Sequence, residues 1–258
     1  MRFRTETRRK NAALQQLCAV CVAGLILSAC SGRGVFKQYE YEEEVYLSLD
    51  GSATVYVNSS IPALNALRGT SFDTNPRARV DRDAIRAYYS SRGSDVTWVR
   101  SSRRNNRRFM HVRLEVADMR KLSEAAPFAW SSYSFAQDGN LFVYKQNIDG
   151  AAGKDVGSVG WKGDEIVAFR LHLPSKIEWH NTLTSNYKRG NILVWEQPLA
   201  DRLRGTPLML EARMQTQSIL YRTVWLFGAT FLAVAVGFAL VIWLVMRRGA
   251  PPPPVGQV

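Results

Sequence analysis

Cysteine is scarce in this sequence of 258 residues, and its distribution excludes a disulfide framework. The three cysteines are Cys18, Cys21 and Cys30, and none follows Cys30. The chain beyond residue 30 therefore contains no cysteine pair, so its fold depends on a hydrophobic core rather than on covalent cross-links. The same count excludes a paired-cysteine zinc site in that part of the chain.

The sequence also lacks the spacings that mark common catalytic and metal sites. No i, i+4 pair occurs among its three histidines, which are His111, His172 and His180. A contact between the last two across neighbouring strands stays open. There is no G-x-S-x-G elbow and no P-loop. The carboxylates at 42–44 and at 164–165 are neighbours in sequence, whereas glycosidase chemistry needs two carboxylates on opposite sides of a cleft. We therefore expect no enzyme activity, no metal and no cofactor.

Acidic residues are fewer than basic ones, but the imbalance is concentrated at the two ends of the chain. The formal net charge is +12, of which the leader and three C-terminal arginines contribute seven charges, so the central region carries about +5. A mildly basic domain suits an anionic lipid surface better than committed nucleic-acid binding. We expect no nucleic-acid partner.

The N-terminal segment has the pattern of a secretory signal. A basic start is followed by an apolar run at 17–27 and by small residues, and Leu27-Ser28-Ala29-Cys30 resembles a bacterial lipobox. That resemblance implies cleavage before Cys30 and a lipid on its thiol. We expect residues 1–29 to be a lipoprotein signal peptide, and an uncleaved N-terminal anchor is the alternative.

A second membrane segment is predicted near the C-terminus. Residues 223–246 contain no charged side chain, and a helix of this length can cross a hydrocarbon core of about 30 Å. Trp225 and Trp243 lie near its ends, and Arg247-Arg248 follow directly. Because positive charge favours the cytoplasmic side, we expect an extracytoplasmic domain at 30–220, a transmembrane helix at 221–246 and a cytoplasmic Pro-rich tail at 247–258. We therefore expect the protein to lie in a bacterial cytoplasmic (inner) membrane.

The central region has the pattern of an α+β domain, with an antiparallel sheet and a few short helices on one face. Segments in which apolar and polar residues alternate flank the turn signals at Asp50-Gly51 and at 138–140, which predicts two hairpins. A third hairpin is predicted at 96–100 and 109–116, with a basic loop between its strands. Either Ser59 or Ser60 is a candidate cap for a first short helix, and Asp81 is a candidate cap for a second. Glu43 falls on the apolar parity of its strand, which we interpret as a charge that opposes edge pairing.

The order of these segments resembles a known family. The lipobox, YEEEVYLSLDGSATVYVNSSIPAL, LVWEQPLADRL and SILYRTVWLF entering a terminal helix are similar to the LppM-type domain of bacterial envelope lipoproteins. The resemblance implies a β-rich extracytoplasmic domain that is linked to envelope lipids or glycolipids, without an established enzyme activity. It assigns no functional residues.

One patch in the sequence is a candidate binding site. Six arginines lie within fourteen residues in and beside the third hairpin: Arg100, Arg103, Arg104, Arg107, Arg108 and Arg113. Arginine forks match phosphate geometry, so these side chains are candidates for binding an anionic surface. The alternatives are a solubilising loop and polymer or protein binding.

The sequence therefore predicts a membrane-anchored envelope lipoprotein with a non-catalytic binding domain for lipids or glycolipids. The alternative is a structural or interaction subunit of a membrane protein complex, acting through the helix and tail.

Overall fold

The structure, a computed structural model, describes residues 37–183, 187–188 and 191–249. The predicted signal peptide, Cys30 and most of the predicted tail lie outside these residues. Eleven strands are described: β1 Gln38–Leu47, β2 Ala53–Ser60, β3 Ser94–Arg104, β4 Arg107–Val116, β5 Ser131–Asp138, β6 Leu141–Ile148, β7 Glu165–His172, β8 Ser175–His180, β9 Tyr187–Lys188, β10 Ile192–Pro198 and β11 Leu208–Ser218.

The strands divide into two sheets. The large sheet has seven strands in the order β3-β4-β2-β1-β7-β10-β9, and the small sheet has four in the order β5-β6-β11-β8. The pairs β1–β2, β2–β4, β3–β4 and β7–β10 are antiparallel, as are all the pairs with a described register in the small sheet. The α+β class predicted from the sequence is confirmed.

Two predicted hairpins form at their turn signals. Gly51 lies in the β1–β2 turn with a φ of 87°, and Gly139 lies in the β5–β6 turn with a φ of 59°. Positive φ is accessible to glycine because it has no Cβ. The third hairpin differs from its prediction, because β3 and β4 continue through the basic segment to the two-residue turn Asn105–Asn106. Both asparagines have positive φ, 49° and 56°, which a tight hairpin turn of this length favours.

Short helices are capped by the residues that the sequence indicates. Helix α1, Ile61–Arg68, begins at Ser60, whose Oγ accepts from Ala63 N, and ends at Gly69 with a φ of 70°. Helix α2, Arg82–Tyr89, begins at Asp81, whose carboxylate accepts from two backbone N–H groups. A 3-10 helix, Met119–Glu124, follows β4. Helix α3, Leu199–Leu203, connects β10 to β11.

One hydrophobic core joins both sheets to the helices. Tyr41, Val55 and Phe169 contribute from the large sheet, and Tyr144 and Leu210 contribute from the small sheet. The predicted role of Glu43 is wrong, because β1 lies between β2 and β7 in the interior of the large sheet. The Glu43 side chain is buried and accepts hydrogen bonds in the core, so it is not a charge on a free edge.

The last described element is helix α4, Ile219–Arg248. Of the described helices it is the one that is long and apolar enough to cross a membrane, and its apolar side chains do not pack into the domain. Strand β11 ends at Ser218 and α4 begins at the next residue. Ser218 Oγ caps the helix by accepting from Leu220 N at 3.1 Å. Ile219 N donates to Pro174 O at 3.1 Å, which fixes the start of the helix to the β7–β8 turn.

Candidate functional site

The six candidate arginines lie on two paired strands rather than in a loop. In the β3–β4 register, Arg103 pairs with Arg108 and Arg104 pairs with Arg107. Residues that pair directly point to the same face, and successive residues point to opposite faces. Arg103 and Arg108 therefore share one face of the large sheet, and the other face carries Arg100, Arg104, Arg107 and Arg113.

Arg107 is part of the structure of the domain and is not available at the surface. Its side chain is 3% exposed and forms an ion pair with Glu40, with Nη2 at 2.8 Å from Oε1. Its Nη1 donates to the carbonyl oxygens of Val159 and Gly160, at 3.2 and 3.0 Å. Arg107 thereby ties the glycine-rich segment 150–163 to the outer face of the large sheet.

Arg108 is also buried, on the opposite face. Its Nη1 donates to Ala78 O at 3.0 Å, and its Nη2 donates to Asp73 O. Its Nε is buried without a hydrogen-bond partner among the described residues. These bonds hold the segment that precedes α2 against the end of the hairpin.

The other four arginines are partly or fully exposed, and three of them contact aromatic rings of the same domain. Arg104 lies over the Phe109 ring and donates to Tyr39 O at 2.6 Å. Arg100 lies over Trp98, and Arg113 lies over Tyr56 and pairs with Glu115 at 2.7 Å. Arg103 is exposed at the hairpin end. The anionic-surface prediction therefore loses Arg107 and Arg108 as surface groups.

The structure adds two arginines that the sequence analysis missed. A groove of about 620 Å³ lies between the start of α2 and the edge of β3, and we call it the arginine groove. Its lining residues are Ala78, Arg79, Val80, Asp81, Arg82, Asp83, Ser101, Ser102, Arg103 and Arg108. Arg79 and Arg82 lie some twenty residues before Arg103 in the sequence, so only the tertiary contacts of Arg108 bring them together.

The charge of the arginine groove is positive. Four guanidinium groups face two carboxylates, and one of these, Asp81, is engaged as the cap of α2 through Asp83 N and Ala84 N. Guanidinium groups donate in pairs to phosphate or carboxylate oxygens, and the hydroxyl groups of Ser101 and Ser102 add further donors. The groove is therefore suited to an anionic group.

The arginine groove and the start of α4 lie at opposite ends of the large sheet. Two ion pairs step in the same direction along β1 and β7: Glu42–Arg170 at 2.5 Å and Glu44–His172 at 2.6 Å. The end of β7, which leads to Pro174 and α4, therefore lies beside the β1–β2 turn. Val116 pairs with Ala53 beside the same turn, so the hairpin turn at Asn105 is at the far end, about 35 Å away at ~3.3 Å per residue.

The histidines do not form a metal site. His172 contacts Glu44, whose pKa the hydrogen bond from His172 lowers, and His111 contacts Asn58 and Ser102 at 2.8 Å. His172 and His180 lie in different sheets, so they are not on neighbouring strands of one sheet. Within the described ranges, no group of three or more His, Cys, Asp or Glu side chains is placed to hold a metal ion.

Comparisons with known proteins give a distant structural likeness. No family model matches the sequence, and no curated protein matches it. Among solved structures, the chain is similar to the folded domain of the Mycobacterium tuberculosis protein LppM, determined by NMR. The sequences are 14% identical, the match covers 71% of this chain and 94% of that chain, and the TM-score is 0.38. The likeness to LppM-type domains therefore stands as a resemblance.

Proposed function

We propose that this protein is a membrane-anchored envelope lipoprotein whose extracytoplasmic domain is a non-catalytic binding domain for the anionic head groups of lipids or glycolipids. The observation that carries the proposal is the arginine groove, with its four guanidinium groups around one open volume. The apolar helix α4 supports the membrane anchor, and the lipobox at Cys30 supports a second one.

The attachment of α4 keeps the domain close to a membrane that the helix crosses. Strand β11 continues into the helix without a linker, and the bond from Ile219 N to Pro174 O secures the junction. A domain held in this way meets membrane components at a high effective concentration, so weak binding is sufficient for function.

The exposed groove arginines supply the attraction. Arg79, Arg82 and Arg103 are exposed, and a basic residue near an anionic membrane surface contributes about 1 kcal/mol. The attraction fades over a Debye length of about 8 Å at physiological salt. Because the groove lies about 25 Å from the start of α4 along the strands, a compact head group reaches it only when the domain lies along the surface. A glycolipid with an extended head group avoids this constraint.

Vesicle binding tests the proposal. The full chain, reconstituted into neutral nanodiscs, is expected to bind vesicles that contain phosphatidylglycerol more tightly than neutral vesicles, and to release them as salt rises. The triple variant Arg79→Ser, Arg82→Ser, Arg103→Ser is expected to lose this preference, because all three side chains are exposed and line the groove. The control Arg92→Ser, Arg120→Ser, Lys162→Ser removes the same charge from exposed positions outside the groove.

The comparison between the two triple variants decides between groove and bulk charge. If the control variant loses the preference to the same extent, binding depends on net charge alone and the groove is not the site. If the parent shows no preference for anionic vesicles, the arginines only keep the hairpin soluble.

A further inference from the structure

A second cationic site lies inside the domain, away from the arginine groove. Arg202 is completely buried, and its guanidinium group lies over the Trp130 ring, 4.7 Å from the ring centroid. Arg68 lies over the same ring and over the Tyr41 ring. Arg68 and Trp130 are half-buried. Two positive charges thus share one indole, and we call Arg68, Arg202 and Trp130 the buried arginine cluster.

The positive charge of this cluster is only partly balanced. Arg68 Nη2 donates to Tyr41 Oη at 2.9 Å, and Tyr41 donates to Glu43 at 3.2 Å, so one carboxylate is linked through a phenol. Burial raises the pKa of Glu43, which weakens that compensation. Arg202 donates to backbone carbonyl oxygens, and no described carboxylate lies within 4.0 Å of either guanidinium group. A buried charge without a close counter-ion is costly.

The polar atoms that lack partners in this region are donors. Arg68 Nε and Nη1, Arg202 Nε and Trp130 Nε1 are buried without a hydrogen-bond partner in the described part of the chain. Tyr89 Oη is unpaired as well, and its phenol is close enough to interact electrostatically with Arg68. A group of N–H and O–H donors requires an acceptor, and an anion supplies both the lone pairs and the missing charge.

The glycine-rich segment lies beside the two helices that carry the arginines of the cluster. Ala152 N donates to Leu67 O at 3.0 Å, and Lys154 N donates to Ala66 O at 3.2 Å, so the segment lies across the last turn of α1, which ends at Arg68. Gly153 has a φ of 63° and lies next to Leu203 O, at the end of α3. These two backbone bonds, together with those from Lys154 Nζ to Thr70 O and Ser71 Oγ, hold residues 152–154 at the end of α1, so a ligand that enters here displaces this segment.

We infer that the buried arginine cluster binds the acidic head of a ligand, a carboxylate or a phosphate, which enters beneath residues 150–154. The donors of Arg68 and Arg202 bind its oxygens, and the Trp130 N–H adds a neutral donor. This site is separate from the arginine groove, so it does not depend on the proposed function. A carboxylate probe and a phosphate probe distinguish the two acids.

Small amphiphiles test this inference on the full chain in a neutral detergent. Laurate carries a carboxylate, lauryl phosphate carries a phosphate, and glycerol monolaurate carries the same acyl chain without charge. We expect at least one of the two acids to bind ten-fold or more tightly than the neutral probe, measured by titration calorimetry. The triple groove variant is expected to bind the acid as the parent does, which separates this site from the groove.

Three variants locate the binding. Arg202→Met is expected to weaken acid binding at least ten-fold and to unfold at the same or a higher temperature than the parent without ligand, because an unbalanced buried charge has been replaced by an apolar chain of similar length. A purely structural arginine predicts the opposite shift in unfolding temperature. Arg92→Met, at an exposed position, serves as the control.

The outcome that overturns the inference is equal binding of acids and neutral probe, or unchanged acid binding by Arg202→Met; bridging water then satisfies the donors. If Arg202→Met does not fold, Trp130→Phe decides, because it keeps an aromatic ring of smaller size and removes the N–H donor. It is expected to weaken acid binding several-fold, and unchanged binding contradicts the site.

Discussion

Arg107 and Arg108 are neighbours in sequence, yet both are buried and their guanidinium groups lie on opposite faces of the large sheet. Arg107 pairs with Glu40 and holds the glycine-rich segment, and Arg108 binds the carbonyl oxygens of Asp73 and Ala78 before α2. Because successive side chains of a strand point to opposite faces of the sheet, the two arginines contact different parts of the domain. The exposed positive charge of the arginine groove comes instead from Arg79, Arg82 and Arg103.

The Arg107–Glu40 ion pair is expected to be important for stability. Arg107→Met removes a buried guanidinium group from its ion pair with Glu40 and from the carbonyl oxygens of Val159 and Gly160, and breaking a buried ion pair typically costs about 3–5 kcal/mol. Chemical unfolding of the full chain in detergent measures the change. Arg103→Met, at the exposed partner position of the hairpin, is the control and is expected to stay within about 0.5 kcal/mol of the parent. Equal effects of the two substitutions contradict the buried role of Arg107.

The Glu44–His172 pair predicts a dependence of stability on pH. The hydrogen bond from His172 lowers the pKa of Glu44 below its ordinary value of 4.5, so the folded state favours the ionised carboxylate. The stability that this provides is present above pH 4.5 and is lost as the pH falls through the lower folded-state pKa. The difference in unfolding free energy between the parent and Glu44→Gln should therefore shrink on acidification below pH 4.5. A constant difference from pH 7 to pH 3 contradicts this account.

Lipidation of Cys30 is expected in the mature protein. The lipobox predicts loss of residues 1–29 and an increase in mass from acyl chains on the new N-terminus. Intact-mass measurement of the membrane-extracted protein provides the check, and Cys30→Ser is expected to accumulate unprocessed. An unmodified N-terminus at Met1 in the parent rules out this modification.

The C-terminal tail is expected on the cytoplasmic side. Arg247 and Arg248 complete α4, and positive charge at the end of an apolar helix favours the cytoplasm. A single cysteine introduced at Gln257, in a chain whose other cysteines are outside the mature protein or lipidated, should react with an impermeant maleimide only after the inner membrane is permeabilised. A cysteine at the exposed Lys162 is the reverse control, accessible without permeabilisation of that membrane. Labelling of Gln257→Cys from outside reverses the topology.

Local features of this protein were predictable from the sequence because the interactions that create them lie within a few residues. Ser60 and Asp81 cap helices through their own first turns, and the turn at Gly51 needs only a residue that tolerates positive φ. The length and apolar composition of α4 are likewise properties of one continuous segment. The α+β class follows from the sum of such elements.

Only the tertiary structure decided how the strands divide into two sheets and which charges lie together. The pairing of β1 with β7 joins residues more than 120 apart in sequence, and it places Glu43 in the core instead of at an edge. The long-range contacts of Arg108 with the segment before α2 create the groove with Arg79 and Arg82, and the contacts of Trp130 bring Arg68 and Arg202 together. A charged residue has the same local pattern whether it is solvated or buried. Its role therefore depends on packing partners that are distant in sequence, and no local periodicity encodes them.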